Sequence, residues 1–283
     1  MKMSVPCLKT ELDLFSPSTY QSSILESQHV EYLPLSTLTD AGPYEFFISS
    51  SSIDYLDPSD LYLHVRFKIV KADGTVYDPT GNVAPECNLL HNLFSTVSLS
   101  LNDTEVTLSS LTYPYRAFLT NLLSYSRQTE QGHLATQFWI RDDPTKVNVS
   151  ANDNLGYRRR KDLTALSREV ELYGRLQLDI CEQPKLLLPG VSLKIKLTRS
   201  SDAFALRGHD NAKIHLTHIS LFLRKVKVNP SIHAAHLNAL NKTNARYPIQ
   251  RKMVKMFMFL HKNDQLFFNK MKNVKSVNET DQF

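Results

Sequence analysis

The sequence predicts an all-β fold, a sandwich of antiparallel sheets, and three observations lead to this prediction. Apolar and polar residues alternate along several segments, which is the two-residue period of a strand with one buried face. Helical periodicity is scarce. The predicted strands come at irregular spacing and are separated mainly by turn sequences, which disfavours a repeating βαβ fold.

The alternation is clearest in residues 61–69, where an apolar side chain occupies every second position. Asp73 and Gly74 then predict a tight turn, with residues 75–77 returning as a short strand. Further strands are predicted at residues 30–35, 44–49, 97–101, 106–108, 176–180 and 191–197.

The longest predicted strand covers residues 213–228, and the parity of its apolar positions changes along its length. Ile214 and Leu216 have one parity, whereas Ile219 and the apolar residues after it have the other. Because successive side chains of a strand point to opposite faces, this switch predicts a β-bulge near residues 217–218.

Two helices are predicted, at residues 115–125 and 231–241, the second capped by Ser231 after a proline. The strands between residues 26 and 229 form a domain of about 200 residues. That size is large for an immunoglobulin-like domain and is typical of a jelly roll with elaborated loops.

Composition favours an ordinary globular protein, since 42% of the residues are hydrophobic and 22% are charged. Residues 1–150 carry 9 Lys and Arg against 17 Asp and Glu, and residues 151–283 carry 24 against 11. Such an acidic half beside a basic half indicates nucleic-acid contact or self-association. Three scattered cysteines predict neither disulfides nor a zinc site, and we expect no signal peptide and no membrane span.

Residues that could carry chemistry are few, and we expect neither a catalytic site nor a bound metal or other cofactor. The eight glycines form no phosphate-binding loop. Cys87 near His91 has the residue types of a nucleophile and its base, but a buried, inert Cys is the commoner case. The pair Asp142-Asp143 is interpreted as loop-capping, and His233 and His236 are interpreted as solvent-facing or hinge-packed residues.

The basic run Arg158, Arg159, Arg160 and Lys161 is the most interesting patch, and it follows a tyrosine. Four consecutive cations can bind phosphates or a neighbouring subunit. A solvated loop is the alternative interpretation of the same run. We expect residues 128–161 to form long loops that build an outward tower or contact neighbouring subunits.

A series of short motifs resembles the hexon, or major capsid protein, of the Polinton/Maverick and adintovirus group. In chain order they are ELDLFS at 11–16, VEYLPLS at 30–36, GPYEFF at 42–47, DPSDLYL at 57–63, KADG at 71–74, NLLHNLF at 88–94, FLRKVKVNP at 222–230 and ARYPI at 245–249. The resemblance runs along most of residues 8–260 and rests on the order of the motifs, since no single motif would suffice.

The resemblance implies a viral jelly-roll sandwich that is the first half of a double jelly roll. It implies an N-terminal arm at 1–25, the first jelly roll at 26–229, a helical linker at 230–248, and the truncated start of a second jelly roll at 249–283, with strands at 249–260 and 265–268. Family members form homotrimeric capsomers of an icosahedral shell, with a single jelly-roll penton protein as a further partner.

The function expected from this resemblance is structural and non-enzymatic. We expect a virion location, or an intracellular one, cytoplasmic or nuclear, if the gene is an endogenised or truncated copy. The alternative is a single jelly-roll module that binds a protein, glycan or nucleic acid. An enzyme on the same fold, such as a cupin-type metal protein, requires clustered His and Glu ligands. No such cluster is expected here.

Overall fold

A computed structural model describes residues 22–49, 51–77, 81–107, 111–143, 145, 154–208 and 211–255 of the chain. Within these ranges the protein has ten strands and six α-helices. The strands are β1 (Ile24–Tyr32), β2 (Tyr44–Ile48), β3 (Asp54–Lys71), β4 (Ala84–Pro85), β5 (Phe94–Leu101), β6 (Thr104–Glu105), β7 (Val170–Arg175), β8 (Leu193–Arg199), β9 (Leu206–Arg207) and β10 (Ala212–Val228). The helices are α1 (Leu89–Asn92), α2 (Tyr113–Ser124), α3 (Arg127–Glu130), α4 (Leu155–Leu163), α5 (Asp202–Ala205) and α6 (Pro230–Leu240).

Eight of the strands form two four-stranded sheets, with the orders β1-β10-β3-β7 and β2-β8-β5-β6, and β4 pairs separately with β9. Every pairing is antiparallel. The chain changes sheet at nearly every step, so most neighbours within a sheet are distant in sequence. This is the connectivity of a jelly roll, and the all-β jelly-roll fold predicted from the sequence is confirmed.

The two sheets enclose one hydrophobic core. The inner face of β3 contributes Leu63, Val65 and Phe67, and the second sheet contributes Phe46 and Ile195, all fully buried. Burying one such side chain contributes about 1.5–3 kcal/mol relative to leaving it in water. The alternation seen in the sequence therefore orients each strand toward the core and holds the sheets face to face.

The predicted bulge in β10 is present at Thr217. Leu216 and His218 pair with adjacent residues of β3, so Thr217 has no partner in the ladder. The extra residue keeps both Leu216 and Ile219 in the core, at 2% exposure each. As a consequence, His215 and His218 lie on the same, outer face of the sheet although their numbers differ in parity.

The predicted turn at Asp73 and Gly74 is also confirmed. Gly74 has a φ of 87°, and the backbone N–H of Lys71 donates to the carbonyl of Thr75 across the turn. Asn102 and Asp103 connect β5 to β6 with φ values of 45° and 67°. Positive φ at both central residues is what a two-residue hairpin loop of the right twist requires.

The strand predicted at residues 176–180 is wrong, because β7 ends before it and a 3₁₀ turn covers Asp179–Glu182. The alternation of apolar and polar residues predicted a strand with a solvent-exposed polar face. Asp179 lies at one of these polar positions, yet it is buried and pairs with Arg116 at 2.6 Å. The true strand was hidden by Gly174 on its inner face, where a Cβ would come within 2.5 Å of Gln137 Cγ.

Other boundaries shift for identifiable reasons. Strand β1 lies earlier than the predicted residues 30–35, because its first half is an exposed, polar edge that has no alternation. The cap of α6 is Asn229 rather than Ser231, since the Asn229 Oδ1 accepts the backbone N–H of Ser231 at 3.0 Å. Helix α4 was not predicted, and it occupies part of the expected loop at 128–161.

The segment after α6 packs back onto the sandwich. Ile249 is 6% exposed and belongs to the core, and Lys252 Nζ lies 2.6 Å from a carboxylate oxygen of Glu182. Residues 249–255 form no strand of either sheet. The remainder of the predicted strand 249–260, the strand at 265–268 and residue 108 lie outside the described residues. The domain boundaries implied by the resemblance stay predictions.

Candidate functional site

The basic run lies in helix α4, and its four cations have different environments. Arg158 and Arg159 are exposed and Lys161 is half-buried, whereas Arg160 is fully buried. A helix places every third or fourth residue on the same side, so one member of the run faces the protein interior. Surface contact by this run therefore rests on Arg158, Arg159 and Lys161, and no observation tests it.

Arg160 connects α4 to the body of the sandwich. Its Nε donates to the carbonyl of Pro85 at 2.7 Å, one terminal nitrogen donates to the carbonyl of Ile140, and the other donates to Asp142 Oδ1 at 2.7 Å. The second oxygen of Asp142 accepts from Arg207 at 2.9 Å. All three nitrogens of the guanidinium are thus satisfied, which is the condition for burying a charge.

The acidic pair Asp142-Asp143 has the structural role that was expected of it. Asp142 accepts hydrogen bonds from Arg160 and Arg207, as described above. Asp143 Oδ1 accepts the backbone N–H of Thr145 at 3.0 Å and its hydroxyl at 2.7 Å, which is an Asx turn. The two carboxylates have separate partners, so they form no acid/base pair.

Cys87 and His91 do not form a nucleophile–base pair. Burial raises the pKa of the Cys87 thiol to about 12, so the thiol stays protonated. His91 Nδ1 contacts the hydroxyl of Tyr113 at 2.9 Å and Nε2 contacts Gln137 Oε1 at 3.2 Å, so both ring nitrogens have other partners. Burial lowers the pKa of His91 to about 4, in spite of the hydrogen bond with Gln137.

The histidines of α6 face the sandwich. His236 Nδ1 lies 2.8 Å from the hydroxyl of Tyr55, and His233 Nδ1 lies 3.4 Å from the same oxygen. These two residues were expected to face solvent or to pack at the hinge; His233 is half-buried and His236 is exposed, and both contact Tyr55. A mainly apolar groove of about 470 Å³ opens beside them, and Leu188 and Tyr247 are among the residues that line it.

A second histidine cluster lies on the outer face of the sheet β1-β10-β3-β7. Glu31, His64 and His218 come from β1, β3 and β10, and one ligand atom from each lies within 4.8 Å of the others. Glu171 of β7 accepts a hydrogen bond from His64 Nε2. That bond and the nearby charges lower the pKa of Glu171.

The expectation that the chain holds no cluster of His and Glu is therefore wrong. The three members are far apart in sequence and meet only through strand pairing. Sequence reasoning could have found His218 only by combining the predicted bulge with the register between β3 and β10.

Exposed apolar side chains are concentrated in the helical insertion between β6 and β7. Eight of the eighteen exposed large hydrophobic residues lie in residues 111–167. The most exposed is Leu123 near the end of α2, at 79%. Clustered apolar exposure on a soluble domain marks a contact surface more often than isolated exposure does.

Comparison with known proteins gives the fold a context. No protein-family model matches the chain. One curated relative, "Uncharacterized protein F54H12.2" of Caenorhabditis elegans, is 21% identical over 179 residues, which is 61% of this chain and 41% of that protein.

Several solved structures are similar to the chain. A chain of the Sputnik virophage structure has a TM-score of 0.54 at 13% identity, covering 91% of this chain and 58% of that one. PBCV-1 Vp54 has a TM-score of 0.51 at 11% identity, covering 84% of this chain and 50% of that one. This chain has the fold of viral capsid proteins. The Faustovirus major capsid protein has a TM-score of 0.49 at 9% identity, covering 86% of this chain and 61% of that one.

The capsid-type jelly roll described here spans from 41% to 61% of the length of these proteins. In the described part of the chain, no helix is both long and apolar enough to cross a bilayer.

Proposed function

We propose that the protein is a non-enzymatic structural protein that acts by self-association, as a hexon-like major capsid protein of a Polinton- or adintovirus-type element. The observation that carries the proposal is the capsid-type jelly roll, in which the chain alternates between two antiparallel sheets. The ordered motifs that resemble this group support the finer assignment. The assembly expected is a homotrimeric capsomer, and the expected location is the virion.

The helical insertion at residues 111–167 is the surface that we assign to subunit contact. It carries eight exposed large apolar side chains, and burying them between subunits would remove them from water. Its inner side is held to the sandwich by α2 and by the Arg160 contacts of α4. The insertion can therefore present a fixed surface without weakening the core.

Mass in solution tests the proposal. The full 283-residue chain is analysed by size exclusion with light scattering over a range of concentrations. A trimer or a larger closed assembly is the expected result, and a monomer at all concentrations would contradict self-association by this chain. Leu123→Glu should shift the assembly toward monomer. The control Leu237→Glu alters an exposed leucine of α6, at 51% exposure, and should leave the mass unchanged.

Nucleic-acid contact by α4 is tested separately. The triple variant Arg158→Ala, Arg159→Ala, Lys161→Ala removes the cations that face solvent and keeps the buried Arg160. If the helix binds phosphates, affinity for DNA falls with rising salt, and the slope of that dependence decreases in the variant. An unchanged slope would mean that these three side chains face solvent and do not contact DNA.

A further inference from the structure

We propose that the outer face of the sheet β1-β10-β3-β7 holds a transition-metal site for Zn²⁺, with Glu31, His64 and His218 as ligands. One ligand atom from each residue lies within 4.8 Å of the other two. The three residues belong to three adjacent strands, so an ion bound here would connect the edge strand β1 to the two central strands. The site is independent of the proposed capsid function.

The donor set is typical of zinc. Two imidazole nitrogens and one carboxylate oxygen are a common set of three protein ligands, with the fourth position open to water. His218 Nε2 lies 3.4 Å from Glu31 Oε1. Two ligands at about 2.0–2.1 Å from a tetrahedral ion are separated by roughly 3.3 Å. This pair is already at the distance that an ion requires.

The ring of His64 is oriented toward the same point. Its Nε2 contacts the Glu171 carboxylate, while its Nδ1 lies 3.3 Å from the hydroxyl of Ser220. That hydroxyl is also 3.1 Å from His218 Nε2. Because Glu171 occupies Nε2, Nδ1 is the nitrogen of His64 that remains to bind an ion. A carboxylate on the second ring nitrogen fixes the tautomer and increases the basicity of a metal-binding histidine.

The burial of the three ligands would hold His64 in place and leave a path for an ion from solvent. His64 is 7% exposed, because it is covered by its contacts with Tyr173 and Phe222. Glu31 is exposed and His218 is half-buried, so the ion has an entry path from solvent.

The neighbouring cation does not compete for the carboxylate ligand. Arg66 is the cross-strand neighbour of His218, but its Nε lies 3.5 Å from Glu171 Oε1, and it pairs with that carboxylate. Among the described residues, the ion-pair partner of Glu31 is His218 itself. A bound cation would therefore replace a histidine–glutamate contact without breaking an Arg–carboxylate pair.

Zinc binding to the full chain tests the proposal. After treatment with a chelator and its removal, the protein is titrated with ZnCl₂ by calorimetry, and its thermal unfolding is followed with and without zinc. One Zn²⁺ per chain is expected. At about a hundredfold excess over the dissociation constant, the unfolding midpoint should rise by roughly 5–10 °C.

Two variants and a matched control assign the ligands. His218→Gln and Glu31→Gln alter partly exposed side chains, and each should abolish the zinc-dependent shift. The control is His215→Gln, which alters a histidine on the same strand and face that lies 3.0 Å from Asp40. It should keep the full shift. A shift that survives in His218→Gln, or that disappears in His215→Gln, overturns the assignment.

Cobalt gives a readout that needs no variant. Co²⁺ added to the wild-type protein in place of zinc should produce the intense visible absorption of a four-coordinate ion, saturating at one per chain. The weak spectrum of the hydrated, six-coordinate ion, with no saturable zinc heat, would overturn the proposal.

Discussion

Acidification should destabilise the fold through His91, which is fully buried in a polar cluster beneath α2. Its Nε2 contacts the side-chain amide oxygen of Gln137, which can only accept, so Nε2 carries the proton. Nδ1 accepts a hydrogen bond from the hydroxyl of Tyr113. Both bonds are made by the neutral ring. A proton added to His91 would place an unpaired charge in the interior, which is why its pKa falls to about 4.

The magnitude follows from proton linkage. The unfolded chain has an ordinary histidine pKa near 6.5, so between pH 6.5 and 4 it binds more protons than the folded protein. The part of the folding free energy that is linked to His91 is therefore fully present above about pH 6.5 and is lost as the pH falls toward 4. The loss amounts to about 2 kcal/mol at pH 5 and to about 3 kcal/mol below pH 4.

Urea unfolding at pH 7 and pH 5 measures this loss. Other groups also titrate in this range, so the informative quantity is the difference between the wild type and His91→Gln, which removes the titrating ring. The wild type should lose about 2 kcal/mol more than the variant. His133→Gln, at an exposed histidine, should behave as the wild type does. Equal losses in the wild type and His91→Gln would refute the reasoning.

Two further substitutions test how the insertion is attached. Arg160→Ala should cost about 3–5 kcal/mol in urea unfolding, because it removes a fully buried side chain and its hydrogen bonds to the Pro85 and Ile140 carbonyls and to Asp142. The exposed neighbour Arg159→Ala should change stability by less than about 0.5 kcal/mol. Equal effects would contradict the buried role of Arg160. Gly174→Ala should cost roughly 1–3 kcal/mol, because its Cβ would overlap Gln137. Gly132→Ala is the control for thermal unfolding, because its Cβ would make only an ordinary contact, at 3.8 Å from the Thr129 carbonyl oxygen. A neutral Gly174→Ala would show that the strand can shift.

Much of the sandwich was predictable because most of its strands have one apolar and one polar face. Strands β3 and β10 followed from alternation, and even the bulge at Thr217 followed from a switch of parity. Strand β7 was missed because a glycine stands where an apolar side chain would have marked the inner face. Strand β1 was misplaced because an edge strand need not alternate where both faces meet water.

The functional surfaces were less predictable, since they depend on which residues meet in space. Four consecutive cations look alike in the sequence, yet the helical period buries only Arg160. The cluster of Glu31, His64 and His218 requires the register of three strands, and the bulge decides the face on which His218 lies. Local patterns determine which face of a strand is apolar, but pairing between distant segments determines what assembles on it.

The position of β10 has a consequence for how the protein is made. Among the strands of the described residues it is the last to be synthesised, and it lies between β1 and β3, two of the first. Until residues 212–228 leave the ribosome, β1 has no partner in its sheet, and β3 has none on the side that β10 will occupy. The sheet can therefore close only after nearly all of the domain has been translated, and such long-range pairing is slow. During that interval the edges of β1 and β3 are open to any other strand, so a nascent chain depends on chaperones or on rapid completion to avoid pairing with its neighbours.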